Sequence, residues 1–285
     1  MGFWELFPNF FTHKDFLPSA EQIPGTLFTP LHLVFAAVLA AIVVFGALRL
    51  SQKGERVIRR VFAVLWVLTV VLEAVKITWE TCTGATVNFE WTGVLPLYPC
   101  SIFMYAMPLA IWGKGNLRRA GCGYVCTLGM LGGAINFVYP ANILGNYSCL
   151  SFAGFHTFFY HGTIVFCALV MLLSRYHFYS PVSRWWQLLL PACPFLAVSV
   201  VANAVNFSPL GADYMFFKLN SFIFAPLGAA LPDWLSVVIV YAAYLLIHGA
   251  PYLPAYIAGK RREIANGRYT ESNVTPAVTV PDSEK

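Results

Sequence analysis

Apolar residues run through this chain in blocks of about twenty, separated by short segments that carry most of its Lys and Arg. Seven blocks stand out, at about 31–50, 57–79, 94–112, 121–139, 155–173, 186–207 and 234–258. A helix that crosses a bilayer needs about 20 mainly apolar residues, because hydrocarbon leaves it to satisfy its own backbone polar groups. The pattern therefore predicts an all-α fold, a polytopic integral membrane bundle of about seven transmembrane helices spanning residues 30–258. The first stretch, GFWELFPNFF, lacks a basic start and is interrupted by Glu5, Pro8 and Asn9, so it does not read as a signal peptide. Residues 1–29 read instead as an outer, interfacial aromatic segment. Residues 259–285 are basic and then rich in Thr, Pro and Ser, and read as a cytoplasmic, disordered tail.

Charge orients the bundle. Lys and Arg near span ends resist translocation, and with the N-terminus outside, 15 of the 18 basic residues fall on the inner side, from Arg49 to Lys285. Lys14 and Lys218 lie outside, and Lys76 lies within a span. An even number of helices breaks this alternation, so the C-terminus is expected in the cytoplasm and the plasma membrane is the expected location. The net charge of +5 then belongs to the inner leaflet, where it suits anionic head groups, and gives no reason to invoke nucleic acid. Composition agrees with a bilayer solvent: 58% of the residues are hydrophobic and 11% charged, against roughly a quarter charged in a soluble domain.

Polar side chains inside a membrane are costly, which makes them functional candidates. Counted from the span ends, His32, Glu73, Lys76, Cys100, Asn136, His161, Asn203 and Asn206 gather in one layer of the outer half, while His248 lies near the inner side. Thr69, Glu73, Lys76 and Glu80 follow helical spacing and share a face of the second span. Glu73 and Lys76 read either as a structural pair that holds helices together or as groups that orient a histidine or a lipid head group.

Cys100 follows a proline in LPLYPCSIF. Pro99 suits the first position of a helix, so Cys100 is expected in the first turn, where unpaired N–H groups and the helix dipole favour a thiolate. A cysteine in an apolar span is more often simply a small core residue, and a membrane histidine is more often bonded to a neighbouring carbonyl. Their matched depth sets the functional reading beside these: Cys100 with His161 is the minimal nucleophile–base pair. His156 is a weaker competitor for the base. Cys122 and Cys126 suit packing better than a metal site, Cys167 and Cys193 read as core, and Cys82 and Cys149 are candidates for a disulfide between outer loops. No phosphate loop, HExxH or GxSxG occurs, and neither a metal nor a cofactor is expected.

An outer histidine on the first helix, Glu and Lys on the second, LPLYPC opening the third, HG in the fifth and NFSPLGADYMFF after the sixth together resemble a known family. It comprises the YwaF-like bacterial membrane proteins and the eukaryotic transmembrane protein 164, and the resemblance covers most of residues 30–258. LPLYPCSI is similar to the family's LPLHLC, with Tyr98 and Pro99 departing from the usual His–Leu. The segment after the sixth span is similar to an Asn–Gly–Asn–Tyr pattern, read here as Asn206, Gly211, Asp213 and Tyr214. The resemblance implies an acyltransferase that moves fatty acyl groups between phospholipids through a cysteine, placed on Cys100, with a histidine, placed on His161. The implied partners are membrane phospholipids and a lysophospholipid acceptor, with Asn136, Asn203 or backbone N–H groups at the oxyanion. The alternative is a transporter or small-solute binding protein that uses the same polar layer.

Overall fold

The computed structural model describes residues 2–85, 97–174, 176, 192–204, 213–219 and 225–250, with single positions at 253, 257 and 261. Among the described residues every regular element is helical. We number the α-helices α1 (Pro30–Ser51), α2 (Glu55–Thr83), α3 (Phe103–Trp112), α4 (Gly115–Tyr124), α5 (Met130–Val138), α6 (Ala141–Leu144), α7 (Phe152–Leu173), α8 (Cys193–Ala204), α9 (Ala225–Ala230) and α10 (Asp233–Gly249). A π-helical turn, Val125–Gly129, joins α4 to α5. Among the described residues four helical stretches are long and apolar enough to cross a membrane: α1, α2, Gly115–Leu144 and α7. The shorter apolar helices α3, α8 and α10 lie inside the expected third, sixth and seventh spans.

Burial sorts these helices. About two thirds of the most apolar window of α7 is inside the protein (67%), against 11% in α1 and in α2. Helix α7 is therefore the centre, with α1, α2, α5 and the π turn packed around it. On α1, Val34, Val38, Ile42 and Phe45 form an exposed stripe at helical spacing. Such a stripe is unfavourable in water and at home against lipid. The main core lies between α3, α4, the π turn and α7, and is built from Phe62, Ile102, Phe103, Met107, Tyr124, Leu128 and Ile164.

Proline in α3 shows how the backbone is satisfied. Pro108 has no N–H to give the carbonyl of Met104, four residues back. The Trp66 indole on α2 donates to that carbonyl at 2.9 Å, so one tryptophan both repairs α3 and ties it to α2. At the far end of α3 the Tyr176 hydroxyl donates to the terminal carbonyl of Ala110 at 3.0 Å. Arg118 lies over the Tyr176 ring and pairs with Glu55 at 2.9 Å, so the starts of α2 and α4 meet at this end of the bundle.

At the opposite end, residues 2–29 form a strap of short 3₁₀ turns across α2 and α7. The Trp79 indole donates to Phe11 O at 2.8 Å, Phe152 N donates to Phe10 O at 2.9 Å, and Lys14 N donates to the Tyr147 hydroxyl at 3.2 Å. Ala85 N donates to the Asp15 carboxylate at 2.9 Å; that bond, with His13 and Lys14, holds this carboxyl below its ordinary value of 3.8. Gly25 has φ 83° and lies so close to Ser148 and Cys149 that an added Cβ would be 2.7 Å and 2.9 Å from their side chains. The Phe3, Trp4 and Phe7 rings are exposed on the strap. Cys82 and Cys149 are free thiols rather than a disulfide: Cys149 is buried beneath Gly25 and Cys82 is exposed on α2.

Candidate functional site

Cys100 lies in a turn that leads into α3, three residues before its first helical residue, Phe103, and not in the helix itself. Pro99 therefore precedes the helix instead of opening it. The turn is held on several sides. Ile102 N donates to Tyr98 O at 3.0 Å, the buried Tyr124 hydroxyl donates to Pro99 O at 3.1 Å, and the Ser199 hydroxyl on α8 reaches Leu97 O at 3.4 Å. Cys100 itself is partly exposed; its sulfur lies 4.0 Å from the Ser101 hydroxyl and against the backbone N–H groups of Cys100 and Ser101.

Two consecutive glycines on α5 set the level of the site. A Cβ on Gly132 would be 3.2 Å from Cys100 N, and one on Gly133 would be 3.4 Å from His161 O. The turn bearing Cys100 and α7 thus close onto the same step of α5. Side chains at these positions would hold them apart.

His161 is buried, and its Nδ1 lies 2.8 Å from Thr157 O and 3.3 Å from the Thr157 hydroxyl. A carbonyl only accepts, so Nδ1 carries the proton and Nε2 of the neutral ring is the basic atom. Among the described residues no hydrogen bond joins His161 to Cys100. His156 is also buried, with Nε2 3.0 Å from Glu73 Oε2, a charge contact when the imidazole is protonated and a dipole contact when it is not. The Tyr160 ring touches both imidazoles, at centroid distances of 5.8 Å and 5.3 Å, and its hydroxyl reaches Ser101. Glu73 lies within electrostatic reach of Cys100, His156 and His161. Its helix runs to Thr83, four residues beyond the expected end at 79, so Glu73 is ten residues, about 15 Å, from the end of α2. His161 is nine residues into α7, about 14 Å, so the two depths agree.

The other candidates divide. Lys76 pairs with Glu80 at 3.2 Å and more loosely with Glu73 at 3.9 Å. Asn136 donates to Gly132 O, one turn back on α5, at 3.0 Å. Asn203 grips the backbone of Tyr214 from both sides, donating to its carbonyl at 2.8 Å and accepting its N–H at 2.9 Å. Tyr214 lies beside Tyr98, ring centroids 5.7 Å apart, two residues from Cys100. Among the described residues no hydrogen bond joins His32 to this group: its Nδ1 accepts Phe28 N at 3.0 Å and its ring packs on Phe158. Asn206 lies outside the described residues. His248 hydrogen-bonds Thr127 in the π turn, away from the layer. The carboxylate partner of His156 and the central place of Tyr160 are not apparent from depth counts. The spacing of His156, Tyr160 and His161 along one helix is the signal that points to them.

A family profile covers residues 26–255, and it is that of the TMEM164 family. The chain belongs to the TMEM164 family. Membership and the apolar helices make it an integral membrane protein. No curated protein and no solved structure matches it. In this TMEM164-family protein the matched residues contain α1 to α10 and every site residue named above, while most of the strap lies before them.

Proposed function

We propose that this protein is a phospholipid acyltransferase that works through Cys100 and His161 in the outer half of the bilayer, within a bundle of seven spans with its N-terminus outside, in the plasma membrane. The observation that carries the reading is the convergence on α5: adjacent glycines seat the turn bearing Cys100 and the helix bearing His161 at one level. The tautomer of His161 adds a base, because a donating Nδ1 leaves Nε2 ready to accept a proton.

In the first half-reaction His161 Nε2 takes the thiol proton and the Cys100 sulfur attacks an ester carbonyl of a phospholipid. The C–S bond forms, the ester C–O bond breaks, and His161 returns the proton to the departing glycerol oxygen. A lysophospholipid leaves and the acyl group stays as a thioester. In the second half an acceptor hydroxyl gives its proton to His161 as its oxygen attacks the thioester carbon; the ester C–O bond forms, the C–S bond breaks, and His161 returns the proton to the Cys100 sulfur. Glu73 orients His156 beside this pair, and Lys76 is placed to meet a head-group phosphate.

The test is mass spectrometry of the full-length protein in phosphatidylcholine vesicles supplied with a labelled lysophospholipid. The expected result is an acyl mass on Cys100. Cys100→Ser should abolish the adduct, and His161→Ala should slow label transfer by about 10²-fold or more. Unmodified Cys100 in a protein that still transfers label after Cys100→Ser overturns the reading.

A further inference from the structure

Acyl transfer at Cys100 places negative charge on the former carbonyl oxygen, and in an apolar site fixed hydrogen-bond donors must meet it. The two side-chain amides closest to this role are already engaged, Asn136 with Gly132 O and Asn203 with both backbone groups of Tyr214. What Asn203 holds in place is itself a donor. Tyr214 is 1% exposed, and among the described residues its hydroxyl has no hydrogen-bond partner. Leaving a buried hydroxyl unpaired is costly, so native proteins seldom do it without a reason.

The surroundings fix the backbone of the segment that carries Tyr214. Besides the Asn203 grip, the Tyr244 hydroxyl donates to Met215 O at 3.0 Å and Lys218 N donates to the Asp213 carboxylate at 2.8 Å. Met215, Phe216 and Leu219 all adopt left-handed backbone conformations, with φ of 57°, 55° and 55°. Three non-glycine residues in that region are maintained only where neighbouring contacts dictate it. The segment presses the Tyr214 and Phe216 rings onto Tyr98, which begins the turn containing Cys100.

We propose that the Tyr214 hydroxyl is the side-chain donor to the oxyanion formed when Cys100 attacks the ester, acting with the N–H groups of the Cys100 turn. This rests on Cys100 being the nucleophile. As the C–S bond forms, the carbonyl π electrons move to oxygen, and the Tyr214 O–H hydrogen-bonds that oxygen without giving up its proton. When the π bond re-forms, the ester C–O bond breaks and His161 supplies the proton to the leaving oxygen. The free enzyme carries the unpaired hydroxyl, and the tetrahedral intermediate pairs it.

Tyr214→Phe tests this, because it removes only the hydroxyl. Two rates are read on the full-length protein in vesicles: acylation of Cys100 by phosphatidylcholine, and alkylation of Cys100 by iodoacetamide, a displacement that forms no oxyanion. The expected result is acylation slower by about 10²-fold, with KM and alkylation unchanged and thermal stability equal or higher. A merely structural tyrosine would leave acylation at the wild-type rate, and that result overturns the assignment while Cys100 stands. Failure of the wild-type protein to acylate Cys100 at all overturns both readings.

Discussion

Asn203 illustrates how a single polar residue in an apolar helix can act entirely through another. Its amide closes a two-bond ring with the backbone of Tyr214, much as one strand pairs with its neighbour. Asn203→Ala leaves a buried N–H and a buried C=O unpaired, each worth about 1 kcal/mol or more. The expected loss is about 2–3 kcal/mol, visible as a lower midpoint in thermal unfolding followed by tryptophan fluorescence. Turnover at a temperature where the variant is folded should also fall, since the strained segment that carries Tyr214 loses its clamp. An unchanged midpoint would mean that the ring of bonds contributes nothing. At this scale the sequence shows which residues are polar and out of place, but not what they touch. Glu73 was legible as a group that orients a histidine or holds helices, yet its contact with His156 spans 83 positions and depends on how α2 leans on α7. Asn136 and Asn203 read from the sequence as candidate donors to an oxyanion. That both are engaged by backbone groups follows only from geometry.

Between elements, small residues decide how close the helices come. Gly121 on α4 has no room for a Cβ, which would collide with the backbone of Ala106 and Ala110 on α3. Small residues on both sides let these two backbones touch, the usual route to tight packing where no hydrophobic force drives helices together in lipid. Gly121→Ala would gain up to about 1 kcal/mol of helix propensity but meets rigid backbone, and overpacking costs about 1–3 kcal/mol. The expected net effect is a lower unfolding midpoint, and a stabilised variant would contradict the packing described. Helix positions were largely legible in the hydrophobic pattern, because a span must be apolar along its whole length. The start of α3 was not. Pro99 satisfies the rule for a first helical position, but the helix begins at Phe103, and contacts from Tyr124, Ser199 and Gly132 hold the preceding turn. Those contacts come from three other elements, so no local rule could anticipate them.

For the molecule as a whole, the contacts sort the two ends of the bundle without reference to any membrane. One end gathers the strap, the start of α7 and the end of α2; the other gathers Glu55, Arg59, Arg118 and Tyr176. The basic cluster at the second end should face the cytoplasm, because Lys and Arg resist translocation. Cys82 offers a direct reading of this orientation. It is a free, exposed cysteine one position before the end of α2, at the strap end, whereas the buried Cys122 and Cys126 lie toward the other side of the bundle on α4 and the π turn. A membrane-impermeant maleimide applied to intact cells should therefore modify the protein at Cys82, and Cys82→Ala should remove that labelling. The substitution touches an exposed surface position, so folding and activity should be preserved. Labelling that appears only after the membrane is permeabilised, and is still lost in Cys82→Ala, would place the strap in the cytoplasm. It would then reverse the assignment of Cys100 and His161 to the outer half, since both are fixed relative to the strap end by α5 and α7.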